Sequence, residues 1–277
     1  MDNCLHSYFV RDKELVSSCD FNADVFVNQG YVYEVIRVID GVPLFLEDHL
    51  QRMWHSLSIA EIEPDSDKDF VNASLRKLIS INKVDFGNLK IVVGKPQKIN
   101  APNYAAWFQP HSYPVQGAYD EGVNIGYLNY ERESPTAKIW RDNYQLMVAE
   151  IKAKHQLFEV LLSANGKVTE GSKSNFFIIK NGRLFTSPEA EVLNGISRIK
   201  VILLAHELSV EVVEKSLSQE DIAAADALFL TGTSLKLMPV NKLYPEKVFD
   251  TQNKLMRKLM QVYDDLIAQY IKENKLQ

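Results

Sequence analysis

Val168-Thr169-Glu170-Gly171-Ser172-Lys173-Ser174-Asn175-Phe176-Phe177-Ile178-Ile179 is a small-residue turn that carries one carboxylate and runs directly into an apolar strand. Upstream, Phe158 to Leu162 reads as a strand and Asn165-Gly166 is a two-residue hairpin signal, so Lys167 onward is expected to be the returning strand. Glu170 then falls at the break between two strand segments, where Gly171 and Ser172 let the backbone approach a neighbour closely. Taken alone, Glu170 reads as a solvated carboxylate beside a loop, because charged side chains mostly face water.

On the N-terminal side of this stretch, Val123 to Tyr127 reads as a strand and Asp142 to Lys154 as a helix with Tyr144, Met147, Val148 and Ile151 along one side. Lys138 lies just before that helix, a place where a lysine by itself is a solvent-facing residue. On the C-terminal side, Gly195-Ile196-Ser197-Arg198 precedes Ile199, Ile202, Leu203 and His206 at helical spacing, which makes Ser197 the expected N-cap. A helix start with free N–H groups is a ready anion site, although an ordinary cap needs no ligand. The strand Ala227 to Leu230 ends in Thr231-Gly232-Thr233-Ser234, a second hydroxyl-rich turn suited to phosphate oxygens. A last helix, from about Thr251 to Lys272, carries Leu255, Leu259, Val262, Leu266 and Tyr270 as its apolar stripe and is expected to pack on the second domain.

The first half opens with a β-forming run from Tyr31 to Ile39, the hairpin signal Asp40-Gly41 and a return from Val42 to Leu46. Alternation puts Tyr33, Val35 and Arg37 on one face and Val32, Glu34, Ile36 and Val38 on the other, so a carboxylate at 34 needs a partner. Leu46, Leu50, Met53 and Leu57 predict a helix from about 46 to 59, with His49, Arg52 and Ser56 as a neighbouring polar stripe. On an arbitrary helix such an arginine is a solvated flank. A second helix is expected from about Lys68 to Asn82, and Leu89 to Val93 reads as a buried strand ending at Gly94-Lys95-Pro96, without the pattern of a nucleotide phosphate loop. Tyr104 to Phe108 is the next strand. Pro110, Pro114 and Gly117 mark a composition shift, which puts a linker at 110–121 and divides the chain into domains of residues 1–115 and 116–277.

At 277 residues, 46% hydrophobic and 24% charged, the chain has the composition of a soluble globular protein, and its length gives room for one large domain or two, of which two are expected. A net charge of -5 with dispersed Lys and Arg argues against nucleic acid as a partner. The N-terminus lacks a basic segment followed by a long apolar run and no stretch approaches membrane-spanning length, so a cytoplasmic protein without a membrane partner is expected. Cys4 and Cys19 have neither disulfide-framework nor metal-site spacing, and no metal is expected.

Read together, Gly30-Tyr31-Val32-Tyr33-Glu34, His49-Leu50-Gln51-Arg52, Lys138, Thr169 to Asn175, Leu193-Asn194-Gly195-Ile196-Ser197-Arg198, and Ala225-Asp226 with Thr231-Gly232-Thr233 follow one order over most of the chain. In that order and spacing the chain resembles the class IV aminotransferases, the pyridoxal-phosphate enzymes that include branched-chain aminotransferase, D-amino-acid aminotransferase and aminodeoxychorismate lyase. The resemblance implies a fold type IV enzyme of two α/β (α+β) domains, a smaller N-terminal and a larger C-terminal one, with pyridoxal 5'-phosphate between them, usually as a homodimer whose partner contributes to the substrate pocket. It implies Lys138 as the Schiff-base and proton-transfer lysine; its distance of 32 residues from Glu170 is like that in D-amino-acid aminotransferases. Glu170 is implied to pair with the pyridine nitrogen. Arg52, Ile196, Ser197 and Thr233 are implied to hold the phosphate, with Ser174 and Asn175 beside the cofactor. Tyr33, Lys95 and Ser234 are implied on the substrate side. Family members place an arginine near the end of the strand that here ends at Lys95, and an asparagine three or four positions after the lysine, whereas here Trp140-Arg141 intervene and Asn143 is five after. The implied activity is transamination between an α-amino acid and an α-keto acid; a lyase of the aminodeoxychorismate type and a relative that binds ligand without turnover are the alternatives.

Overall fold

Asp40-Gly41 and Asn165-Gly166 both adopt left-handed backbone, with φ of +52° and +75° in the first pair and +53° and +76° in the second. Two successive positive φ values define the tight turn whose twist matches a hairpin, so both pairs reverse the chain where expected. The structure, a computed structural model, describes residues 3–27, 30–96, 98, 100–245 and 247–275; Met1 and Asp2 of the N-terminal reading lie outside it. The chain forms two compact units: residues 1–112 with 137–142 and 267–277, and residues 113–136 with 143–266.

The first unit contains β1 (Leu5–Arg11), β2 (Glu14–Ser17), β3 (Val32–Ile39), β4 (Val42–Pro43), α1 (Leu46–Ile59), α2 (Lys68–Asn82), β5 (Phe86–Val93) and β6 (Tyr104–Gln109). Its strands form a sheet in the order β2-β1-β6-β5-β3-β4, with antiparallel neighbours. Along β3 the burial alternates strictly, so Val32, Glu34, Ile36 and Val38 face inward. The aliphatic members of that set meet Leu46, Leu50, Met53 and Leu57 of α1 and Val71, Leu75, Leu78 and Ile79 of α2. Each such side chain removed from water contributes about 1.5–3 kcal/mol. The opposite face of the sheet gathers Phe9, Phe26, Tyr31, Val92 and Trp107, with Tyr33 and Trp140 packed against them. Trp140 reaches it because the segment Ala137–Asp142 lies along β3, through a bridge between Val32 and Ile139.

The second unit contains α3 (Gln116–Glu121), β7 (Val123–Asn129), α4 (Asp142–His155), β8 (Glu159–Ala164), β9 (Lys167–Gly171), β10 (Asn175–Lys180), β11 (Arg183–Thr186), α5 (Ile196–Glu207), β12 (Val212–Glu214), α6 (Gln219–Ala223), β13 (Ala227–Gly232), β14 (Lys236–Leu243), β15 (Lys247–Val248) and most of α7 (Lys254–Asn274). The strand order is β12-β11-β10-β13-β14-β7-β8-β9, with β15 on β14. β7 and β8 are parallel, which requires a crossover, and α4 supplies it over Leu128, Val160 and Leu162.

Four expectations need revision. The stretch expected as linker holds the helix α3. The segment carrying Lys138, expected with the second domain, clusters with the first, because its backbone is bonded to β3. The buried stripe of α7 is Met256, Leu259, Tyr263 and Ile267, turned slightly from the expected one, and its turns from Ile267 onward belong to the first unit. Gly195, not Ser197, is the N-cap of α5: its extended φ of -67° and ψ of 138° end the loop, and the helix begins at Ile196. No helix among the described residues is long and apolar enough to cross a membrane.

Candidate active site

In the first unit the polar stripe of α1 is not a solvated flank. His49, Arg52 and Ser56 recur at helical spacing on the face turned to β3, and the inward carboxylate of Glu34 is the target of the first two. Arg52 donates from Nε to Oε1 and from Nη2 to Oε2 of Glu34, both at 2.7 Å, and His49 Nδ1 lies 2.9 Å from Oε2. Glu34 is fully buried and His49 is 2% exposed. Burial alone pushes the Glu34 carboxyl up, but the charges of Arg52 and Lys138 and the His49 contact outweigh it and hold the group well below the usual carboxylate range. Burial pushes His49 down and outweighs the pull of Glu34 in the other direction. A neutral His49 facing an ionised, acceptor-only carboxylate carries its proton on Nδ1.

The same stripe fixes the chain at Lys138. Ser56 Oγ accepts the Lys138 backbone N–H at 3.1 Å, and the Lys138 carbonyl accepts from Tyr33 N at 3.0 Å. Trp140 N donates to Tyr31 O at 2.8 Å. With the backbone bonded on both sides, the Lys138 ammonium lies 5.1 Å from the centre of the Tyr33 ring. Lys95 is exposed just beyond the end of β5.

In the second unit Glu170 is buried at 3% exposure, and both of its oxygens are bonded. Arg132 Nη1 donates to Oε1 at 2.7 Å and the Leu193 backbone N–H donates to Oε2 at 3.1 Å. Asn175 Nδ2 donates to the Leu193 carbonyl at 2.9 Å. One residue of the loop before α5 is therefore held by the two motif residues Glu170 and Asn175. Gly195 completes this contact: a Cβ there would sit 2.2 Å from Asn175 Oδ1, so only glycine admits it. The start of α5 has no side-chain cap among the described residues, while the Ser197 hydroxyl pairs with Tyr263 OH of α7 at 2.8 Å.

Two further contacts shape this end of the unit. Glu159 accepts from the hydroxyls of Ser172 and Ser174 and from Lys173 N, which folds the loop between β9 and β10 around one carboxylate. Gly171 is required there, since a Cβ would lie 2.0 Å from Ser174 Oγ. On the neighbouring strand Asn175 is paired in register with Thr231, whose buried hydroxyl has no hydrogen-bond partner among the described residues. Thr233 and Ser234 follow in the half-buried turn between β13 and β14.

In the second unit Arg132, the stretch from Glu170 to Asn175 and the loop before α5 thus meet, and in the first unit β3, α1 and the segment of Lys138 do. Sequence reasoning did not find Arg132 or Glu159. Arg132 sits in a loop of alternating charges, Glu131-Arg132-Glu133, where no periodicity singles out one that turns to a buried partner. The need of Glu34 for a partner was legible, and the stripe on α1 was the signal that could have supplied it.

The model of the amino-transferase class IV family matches residues 31–243. D-alanine aminotransferase of Bacillus licheniformis is 27% identical over 226 residues, covering 76% of this chain and 78% of that protein. The structure of Escherichia coli branched-chain amino acid aminotransferase superimposes with a TM-score of 0.84 at 26% identity, over 95% of each chain. The branched-chain aminotransferase of Thermoproteus uzoniensis, solved with norvaline, superimposes with a TM-score of 0.82 at 22% identity, over 98% of this chain and 97% of that one.

Proposed function

The chain belongs to the class IV aminotransferases, and on that premise we propose that it moves an amino group between an α-amino acid and an α-keto acid with pyridoxal 5'-phosphate held through Lys138. The two sets of residues fit that cofactor. The start of α5 offers N–H groups without a side-chain cap, the orientation that suits an anion, and the end of β13 and the turn after it offer the hydroxyls of Thr231 and Thr233. Glu170 offers a buried carboxylate, held on both oxygens by Arg132 and the Leu193 N–H, as the partner for a ring nitrogen that must keep a proton. Lys138 offers an amine on a bonded backbone.

When bound, pyridoxal phosphate supplies an aldehyde that condenses with an amine and a ring that withdraws electron density from the substrate α-carbon. In the proposed assignment Arg52, the N–H groups of Ile196 and Ser197, and Thr233 hold the phosphate. Ser174 and Asn175 act one step back, by shaping the loop around Glu159 and Leu193. Lys138 Nζ would be the amine that holds the cofactor, and, once free of it, would be the base that takes the proton from the substrate α-carbon and returns it on the cofactor side. Tyr33, Lys95 and Ser234 are assigned to the substrate side, in a homodimeric enzyme.

The observation that carries this reading is the bonding of the Lys138 backbone to Ser56 and Tyr33, which sets the amine over the Tyr33 ring beside the Glu34–Arg52 pair. The test is a visible spectrum of the purified, cofactor-loaded protein, taken as L- and D-amino acids and then a keto acid are added. Transamination predicts loss of the lysine-linked absorbance with amino acid and its return with keto acid. Elimination predicts turnover without need of a keto acid, and a non-catalytic relative predicts no change.

A further inference from the structure

Lys90, in the middle of β5, is 6% exposed and takes no part in the mechanism above. Strand register sets it on the face of the sheet that carries Tyr33 and Trp107: Lys90 pairs with Val35 on one side and with Trp107 on the other. Its ammonium lies 3.2 Å from the ring centre of Trp140, 5.4 Å from that of Trp107 and 5.7 Å from that of Tyr33. A lysine cation removed from water is held by aromatic faces, whose π-electrons are negative. One of these three walls is special. Trp140 stands two residues after Lys138, and Tyr33 is the ring over which the Lys138 ammonium also lies. Trp140 is also one of the two residues that set this chain apart from the family pattern after the lysine.

We propose that Lys90 is a positioning residue for Lys138: its caged ammonium clamps Trp140 onto the sheet and so holds the segment Ala137–Asp142 in the place from which the Lys138 amine works. The inference rests on the assignment of Lys138 as the cofactor-bearing lysine. The clamp and the backbone bonds act on the same short segment, the bonds fixing Lys138 to Ser56 and Tyr33 and Trp140 to Tyr31, and the cage fixing the Trp140 side chain. Lys90 also adds a positive charge near Lys138, since both lie by the Tyr33 ring; Lys138 acts as well on Glu34 of β3, which Arg52 of α1 binds, and on His49 of α1.

Two variants and two readouts test this. Lys90→Met keeps the buried stem and removes the charge; Lys90→Arg keeps a cation that stacks on aromatic rings. In cofactor-free protein, amide hydrogen exchange at Lys138 and Trp140 is expected to quicken about tenfold in Lys90→Met, with α2 unchanged, and to return to the wild-type rate in Lys90→Arg. If Lys90→Met does not fold, Trp140→Leu removes the clamp from its other side and predicts the same local change. In loaded protein, the pH at which the lysine-linked absorbance changes is expected to rise by about half a unit to one unit in Lys90→Met, since a like charge disfavours the protonated form, and to stay put in Lys90→Arg. Unchanged exchange in the segment, exchange raised equally in α2, or an unmoved absorbance titration would each overturn the proposal. Because exchange is read without cofactor, a cofactor bound to some other lysine shows up separately, as a wild-type absorbance that does not depend on Lys138; that result would also overturn the role given to Lys90.

Discussion

Arg52 grips Glu34 with two hydrogen bonds of 2.7 Å, Nε to Oε1 and Nη2 to Oε2, and Glu34 has no exposure to water at all. A carboxylate so placed is tolerable only while its cation is present, because losing one partner of a buried pair leaves an uncompensated charge. Arg52→Ala is therefore expected to cost about 3–5 kcal/mol in cofactor-free protein, measured by urea unfolding. Glu34→Gln in the same background should recover part of the loss. A loss below about 0.5 kcal/mol for Arg52→Ala would mark the pair as dispensable.

The same pair makes stability depend on pH. Glu34 has a folded-state pKa lowered below its unfolded value, and so does His49. In both cases the unfolded chain binds more protons in the window between the two values, so stability rises with pH there. Lowering pH should weaken the protein first below about 6.5, as His49 takes up its proton on unfolding, and again below about 4.3 as Glu34 does. Unfolding curves at stepped pH check this: His49→Gln should flatten the upper part and leave the lower. Identical slopes in wild type and His49→Gln would remove His49 from the account.

Helices α1 and α2 and both hairpin turns were legible because each rests on local signals, side-chain spacing for the helices and Asp-Gly or Asn-Gly pairs for the turns; the Asp67 cap that bonds Phe70 N at the start of α2 emerged only in the structure. The inward face of β3 was legible for the same reason. Long-range pairing was not. Nothing local joins Arg132 to Glu170 across 38 residues, and nothing shows that Lys138 lies along β3 rather than with the helix it precedes. Ser197 was misplaced because hydroxyl preference at a cap is weaker than the demand of Asn175 for a residue without Cβ at 195.

That demand gives a third prediction. Gly195→Ala places a Cβ 2.2 Å from Asn175 Oδ1, so Asn175 must release Leu193 or the start of α5 must shift. Overpacking of this kind costs about 1–3 kcal/mol, and if it falls on the phosphate end, cofactor affinity should drop about tenfold or more. Titration of the cofactor-free variant by fluorescence measures it; wild-type affinity would separate the α5 start from the phosphate.

Glu170→Gln removes the charge and keeps the size. The cofactor should still attach, but the proton-transfer step should slow more than about a hundredfold, as a loss of about 3 kcal/mol in transition-state stabilisation implies. Stopped-flow measurement of the amino-acid half-reaction checks it. A wild-type rate would return Glu170 to a structural role beside Arg132.

The proposed chemistry depends above all on one atom, Lys138 Nζ. Borohydride reduction of the cofactor-loaded protein, followed by peptide mapping, tests it most directly. The pyridoxyl group is predicted on the peptide that contains Lys138, and Lys138→Ala should fold and carry none. Recovery of the group on Lys90, Lys152, Lys154 or any other lysine would contradict the assignment.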